Sequence, residues 1–451
     1  MDRRDPAAFN SASLGAMRCR YERNDADTEE TLPKKLSKLL LVRQAAQWRL
    51  CGASQRGPGG NSKETDVETN IGPGTGQADG WIELEPKFPV EAVKLTASFR
   101  YMCLCLGQQP TEADTGMHCL HLILLQICTV NLQQPPSLVG WTPAFTESPQ
   151  GQALPNLDGC FEVLETRCGP MVALCGGISV SQQSSQPWQH TVTILAPKDQ
   201  RLQARTILEA DGGVLWCLKC SDEDLYAAGD DGQGQIWHVS KDWKTSRSKL
   251  PLQQARCHGY ALDIIVMLRV AEVDNGTLLV GLSSLGSLAV WNSQSGCLLT
   301  AVHHATCHVR DLQVVDAPRL AARNRRSRGS DADDHALDAQ PLVLVAIITR
   351  HSAPSQGPRL AAALLRHGIL DVGEPFALQG VCQMDVSQDN GLVTDSHGRM
   401  HVWNIAKGCT VWTSECLPDS RMTAAKLSAE HGIAVAATAD GRISLHRWLK
   451  E

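Results

Sequence analysis

VGLSSLGSLAVWN (280–292) sets the reading of the whole chain. An apolar run ends in small residues, a polar turn containing glycine follows, and alternating residues then lead to a tryptophan. That is the grammar of a β-hairpin, in which glycine supplies the positive φ of a tight turn. Three other stretches repeat it: AAGDDGQGQIWHV (227–239), VTDSHGRMHVWN (393–404) and AATADGRISLHRW (436–448). The repeated positions are the turn glycines Gly234, Gly286, Gly398 and Gly441 and the strand-ending Trp237, Trp291 and Trp403, with His446 matching in the last copy. Trp237 and Trp291 are 54 residues apart, Trp291 and Trp403 are 112 (twice 56), and Trp403 and His446 are 43.

A unit of about 40–55 residues therefore repeats, with one degenerate copy between Trp291 and Trp403. Its expected strands are CHVRDLQVV, LVLVAIIT and RLAAALL, split by the insert RNRRSRGSDADDHALD (323–338). Further back, HTVTIL and LLQICTV fall where earlier copies should lie. From residue 81 to 451, short apolar runs recur between Gly, Asp, Asn and Ser, and helical periodicity is nearly absent. The fold class expected is all-β.

The period and the tryptophan-ended third strand resemble the WD-repeat family, although its Trp-Asp pair stands here as Trp291-Asn292 and Trp403-Asn404. The resemblance implies a β-propeller of about seven four-stranded blades. The last repeat supplies only three strands, MTAAKL, IAVAAT and GRISLHRW. In this family the missing strand commonly comes from the N-terminal side, so WIELE (81–85) or VKLTASF (93–99) is expected to close the ring.

Residues 1–80 differ from the rest. The span 52–80 has eight glycines and almost no apolar side chains, a composition that cannot repay the entropy of ordering. Before it, 31–50 carries Leu36, Leu39, Leu40 and Leu50 at helical spacing with five basic residues, a short amphipathic helix in an otherwise disordered tail. The opening MDRRDPAAFN puts charges where a signal peptide needs an apolar stretch, so an intracellular protein is expected. Its 17 cysteines, odd in number and irregularly spaced, read as small buried hydrophobes rather than a disulfide framework. A net charge of −6 gives no general electrostatic case for nucleic-acid binding.

Candidate chemistry is sparse. Cys217 and Cys220 have a CxxC spacing, but three residues along a strand point to opposite faces. His303, His304, Cys307 and His308 suit zinc by type, yet they lie where the family places a loop histidine. The carboxylates Asp230, Asp231, Asp395 and Asp440 fall in turns, where such groups usually bond backbone amides. Gly72–Gly76 is glycine-rich without the flanking strand and helix of a phosphate loop. No catalytic, cofactor or metal set is therefore expected. The leading reading is a non-enzymatic interaction scaffold whose loops bind proteins. The succession LLVGLSSLGSLAVWNSQSGCLL, LVLVAIITRHSAPSQGPRLAAALL, GLVTDSHGRMHVWNIAKGCTVW and ISLHRW looks like the C-terminal propeller of the partner-and-localizer scaffold family of homologous recombination. That likeness implies a nuclear protein of DNA repair whose partner is the large recombination mediator. The alternatives are a substrate-receptor propeller of a ubiquitin ligase and a propeller hydrolase, which would show polar side chains converging in the central channel.

Overall fold

Each apolar run becomes one strand of a four-stranded antiparallel meander, and seven such meanders follow one another along the chain. The computed structural model describes residues 74–76, 80–83 and, between 89 and 449, all but a set of loops. The longest of these loops are 108–117, 147–156, 180–189 and 316–341. The helix expected at 31–50, the tail up to residue 73 and the insert at 323–338 lie outside the described residues.

The described residues form a seven-bladed β-propeller. Blades 1 to 6 occupy 90–146, 161–209, 215–252, 265–302, 307–372 and 383–414, and blade 7 occupies 422–447 plus one strand from the N-terminal side. The degenerate copy is blade 5, with strands Cys307–Val315, Leu342–Arg350, Arg359–Arg366 and Ile369–Val372. HTVTIL overlaps the third strand of blade 2, Thr191–Lys198, and LLQICTV overlaps the third strand of blade 1, His118–Gln126.

The core is a set of apolar seams between blades. One joins blades 3 and 4 through Tyr226, Ile236, Leu268 and Trp291; another joins blades 4 and 5 through Val280, Leu282, Leu312 and Leu344. Strands near the axis are covered on both faces, so Ile433–Thr438 is buried at every position and reads as an unbroken apolar run. Trp237, Trp291 and Trp403 are buried in the third strands of blades 3, 4 and 6. No helix among the described residues is long and apolar enough to cross a membrane.

Three of the four turn glycines take the positive φ expected: Gly286 at 81°, Gly398 at 75° and Gly441 at 85°. Gly234 does not. Blade 3 spends its left-handed conformations on Asp231 (56°) and Gly232 (64°), and Gly234 already pairs with Ala228 in the ladder. What Gly234 provides is closeness, since a Cβ there would stand 2.4 Å from the Ala227 carbonyl oxygen.

Gly80–Glu83 closes the ring. It pairs antiparallel with the third strand of blade 7, Gly80 opposite Leu445 and Glu83 opposite Arg442. The other closing candidate, around Val93, is instead the innermost strand of blade 1, Val90–Leu95. The seam between the ends is apolar as well, with Val90, Met102 and Ile123 of blade 1 against Ile433, Val435 and Leu445 of blade 7. Gly74–Gly76, which composition assigns to the disordered tail, runs parallel to Trp412–Ser414 as a fifth strand on blade 6.

Closure should therefore depend on 80–83 and not on the residues before 74. A chain starting at residue 71 is expected to melt like the full chain. One starting at residue 85 loses a strand's ladder, worth about 2–4 kcal/mol at roughly 1 kcal/mol per hydrogen bond, and should melt several degrees lower. Calorimetry of the two truncations checks this.

Candidate functional site

An innermost strand in a propeller faces the axis, and here seven charged residues, one from each innermost strand, form a shared network. They are Lys94, Glu162, Lys219, Arg269, Asp311, Asp385 and Lys426, from blades 1 to 7 in order. In five blades the register slips by one residue near the start of this strand, between Val90 and Ala92, Leu215 and Cys217, Ile265 and Met267, Val309 and Asp311, and Met422 and Ala424. Such bulges turn a strand and re-aim its side chains.

An eighth charge enters from the turn Leu157–Gly159 ahead of blade 2. This turn presses against blade 4 so closely that a Cβ on Gly159 would meet the Val266 carbonyl oxygen at 2.5 Å. Asp158 is thereby carried into the channel, where its carboxylate lies 3.3 Å from Lys94 and 3.5 Å from Lys426.

The eight charges balance, four of each sign, and they pair between blades. Glu162 Oε1 accepts from Lys94 at 3.3 Å and from Lys219 at 3.0 Å. Arg269 donates through Nε to the Leu312 carbonyl (3.1 Å) and to Gln313 Oε1 (3.0 Å), and its guanidinium lies 3.6 Å from Asp311. Asp385 Oδ2 accepts from the Leu427 amide at 2.8 Å.

Burial opposes charge at Lys94, Asp158, Glu162, Asp311 and Lys426, and the partners decide the outcome. At Asp158 burial is overcome by Lys426, Lys94 and Arg269, which hold its carboxyl well below the usual range. Glu162 is likewise buried and is held low by Lys219 and Lys94. At Lys426 burial yields to Asp158 and Asp385, and the ammonium is raised; at Lys94 burial wins and the pKa falls. Asp311 is the under-compensated acid. Burial outweighs Arg269, Asp158 adds repulsion, and its pKa is pushed up to about 6.

This network divides the channel into two chambers. The upper one, about 580 Å³, is floored by Asp158 and Asp311 and rimmed by Ser284, His308, Arg310 and Arg421. The lower one, about 460 Å³, exposes Lys94, Lys219, Arg269 and Lys426 together with Glu162 and Asp385. The channel is thus not lined by backbone and apolar groups alone, the condition that would have removed the hydrolase reading.

Of the candidates read from the sequence, only His308 reaches a chamber rim among the described residues, and the others lie elsewhere. Cys217 is buried and donates toward the Ala228 and Ile265 carbonyls at 3.5 and 3.3 Å, and burial pushes both its thiol and that of Cys220 upward. The histidines serve loops: His303 Nδ1 meets Ser287 Oγ at 3.1 Å and His308 Nδ1 meets the Leu285 carbonyl at 3.1 Å. Asp395 behaves as a turn carboxylate, accepting the His397 and Arg399 amides at 2.9 Å each and also facing His401 Nε2 at 3.1 Å. Asp440 pairs with Arg442 at 3.2 Å, and Asp230 takes the Trp216 indole N–H.

The two channel aspartates should respond oppositely to neutralisation. Asp158→Asn strands buried cations and is expected to cost about 3 kcal/mol near neutral pH. Asp311 has a folded pKa above its unfolded value. Its contribution to stability is therefore fully present below about pH 4 and is lost as pH rises through about 6. Asp311→Asn should then stabilise at pH 7.5 by on the order of 2 kcal/mol, by roughly half as much near pH 5, and match the parent only below about pH 4. Urea unfolding at these pH values separates the two variants.

No protein-family model matches the chain, and no curated protein is significantly similar to it.

Proposed function

We propose that this chain is a non-enzymatic protein-interaction scaffold that receives its partner on the face around the upper chamber. The observation that carries the reading is Tyr260, 80% exposed on a small hairpin between blades 3 and 4. Leu285, in a turn of blade 4, is 64% exposed. The two loops are tied together by the Ser284 amide donating to the Ile264 carbonyl at 2.8 Å and by the Ser284 hydroxyl donating to Asp263. An exposed aromatic and an exposed aliphatic on linked loops are the composition of an interface anchor, and the chamber rim adds Arg310 and Arg421. The non-enzymatic reading is supported by the channel carboxylates Asp158, Glu162 and Asp311, each of which faces a cation.

Within that class we read the blades as degenerate WD repeats, on the strength of the buried third-strand tryptophans and the glycine turns. The order of the C-terminal blades, including the widened hairpin of blade 5, supports a narrower reading. It is a nuclear scaffold of homologous recombination whose partner is the large recombination mediator.

Affinity purification of the full chain from cells, beside a Tyr260→Ala/Leu285→Ser variant, tests both levels. Both side chains are exposed, so the variant should melt like the parent while recovering its partner at least tenfold less well. Undiminished recovery would remove this face as the interface. An eluate of the parent chain without the recombination mediator would remove the narrower reading.

A further inference from the structure

The channel charges are balanced in number but unevenly shared between the chambers. Asp158 and Asp311 open into the upper chamber, whereas Lys94, Lys219, Arg269 and Lys426 open into the lower one with Glu162, Asp385 and Glu430. Glu162 and Asp385 are already engaged. Glu162 Oε1 takes two ammonium groups, and Asp385 Oδ2 takes the Leu427 amide. The cations are less fully engaged. Contacts of Lys94 and Lys426 to their carboxylates run from 3.3 to 3.5 Å, against roughly 2.7–2.9 Å for a tight charge-assisted bond. Lys219, with a third of its side chain exposed, has three N–H donors and its ion pair to Glu162 occupies one.

Neutral donors point the same way. Ser387 Oγ accepts from the Ala429 amide at 3.0 Å and Ser428 Oγ from the His431 amide at 3.2 Å. With their oxygens serving as acceptors, these hydroxyls have a proton to donate, and both residues line the lower chamber. A cavity of about 460 Å³ walled by four cations from four blades, three carboxylates and two hydroxyl donors has more cations than acids on its wall and a surplus of donors.

We infer that the lower chamber is a binding site for a small phosphate-bearing anion. A carboxylate offers two oxygens in one plane, while a phosphoryl group offers them in tetrahedral directions and so can meet cations from several blades around the axis. Lys219 and Lys426 reach it from opposite sides of the pair of blades that Lys94 bridges, and Arg269 completes the wall. The inference is independent of any partner on the opposite face.

The test is calorimetric titration of the full chain with tripolyphosphate, ionic strength being held constant by replacing chloride. Saturable heat and a rise in melting temperature are expected. Lys219→Met, which removes the most exposed of the four cations, should weaken binding at least tenfold; Lys219→Arg should retain it. Arg421→Met, at the upper chamber, should bind like the parent. If Lys219→Met does not fold, Ser387→Asp introduces repelling charge from the chamber rim and is expected to give the same loss. The inference is overturned if tripolyphosphate acts no differently from chloride, if folded Lys219→Met or Ser387→Asp binds as the parent does, or if Arg421→Met alone abolishes binding.

Discussion

A charge buried on the axis of this ring has to find its counter-charge on another blade. Each innermost strand brings one charge to the network, so the ion pairs there form between blades. Lys94 needs Glu162 from blade 2 and Asp158 from the turn before it; Arg269 is held by the Leu312 carbonyl and Gln313 of blade 5; Lys426 needs Asp158 across the closure. In a low-dielectric interior an unmatched member would cost several kcal/mol, so register and blade order are fixed together by the pairing. The apolar seams supply adhesion without direction. The ion pairs supply the direction.

The same constraint accounts for the closeness of packing around Asp158. A carboxylate can serve two lysines from blades 1 and 7 only if its backbone reaches well into the ring. Gly159 permits that approach by leaving no Cβ against Val266. Asp311 is the member for which the arrangement falls short, and a raised pKa is how the shortfall registers.

Much of the architecture was legible in the sequence because strands leave local signatures. The turn glycines at 286, 398 and 441, the third-strand tryptophans and the two-sided apolar runs each follow from conformation or burial of a few adjacent residues. Blade 5 was legible despite an eroded turn, since its apolar runs survived. Gly234 was misread, because close approach and positive φ favour the same residue and only coordinates tell them apart. The channel network was not seen at all. One charge in LWCLKC or MTAAKL looks like a blemish in an apolar run, and its meaning is visible only when seven such strands face one axis. A charge recurring inside the apolar first strand of each repeat was the available signal. Loop composition, by contrast, pointed to Asp230, His303 and Cys307, whose work is local.

The closing strand has a consequence for how the molecule is made. Gly80–Glu83 pairs with residues beginning at Arg442, so two strands about 360 positions apart must meet. At ribosomal rates of roughly 5–20 residues per second, the earlier strand waits some 20–70 seconds before its partner exists. During that interval six blades can form while the seam of blade 1 stays open to solvent, with Val90, Met102 and Ile123 uncovered. A nascent ring of this design is complete in most of its hydrogen bonds yet sticky at one cleft. The protein's most vulnerable moment therefore comes just before synthesis reaches blade 7, when a chaperone would have the most to protect.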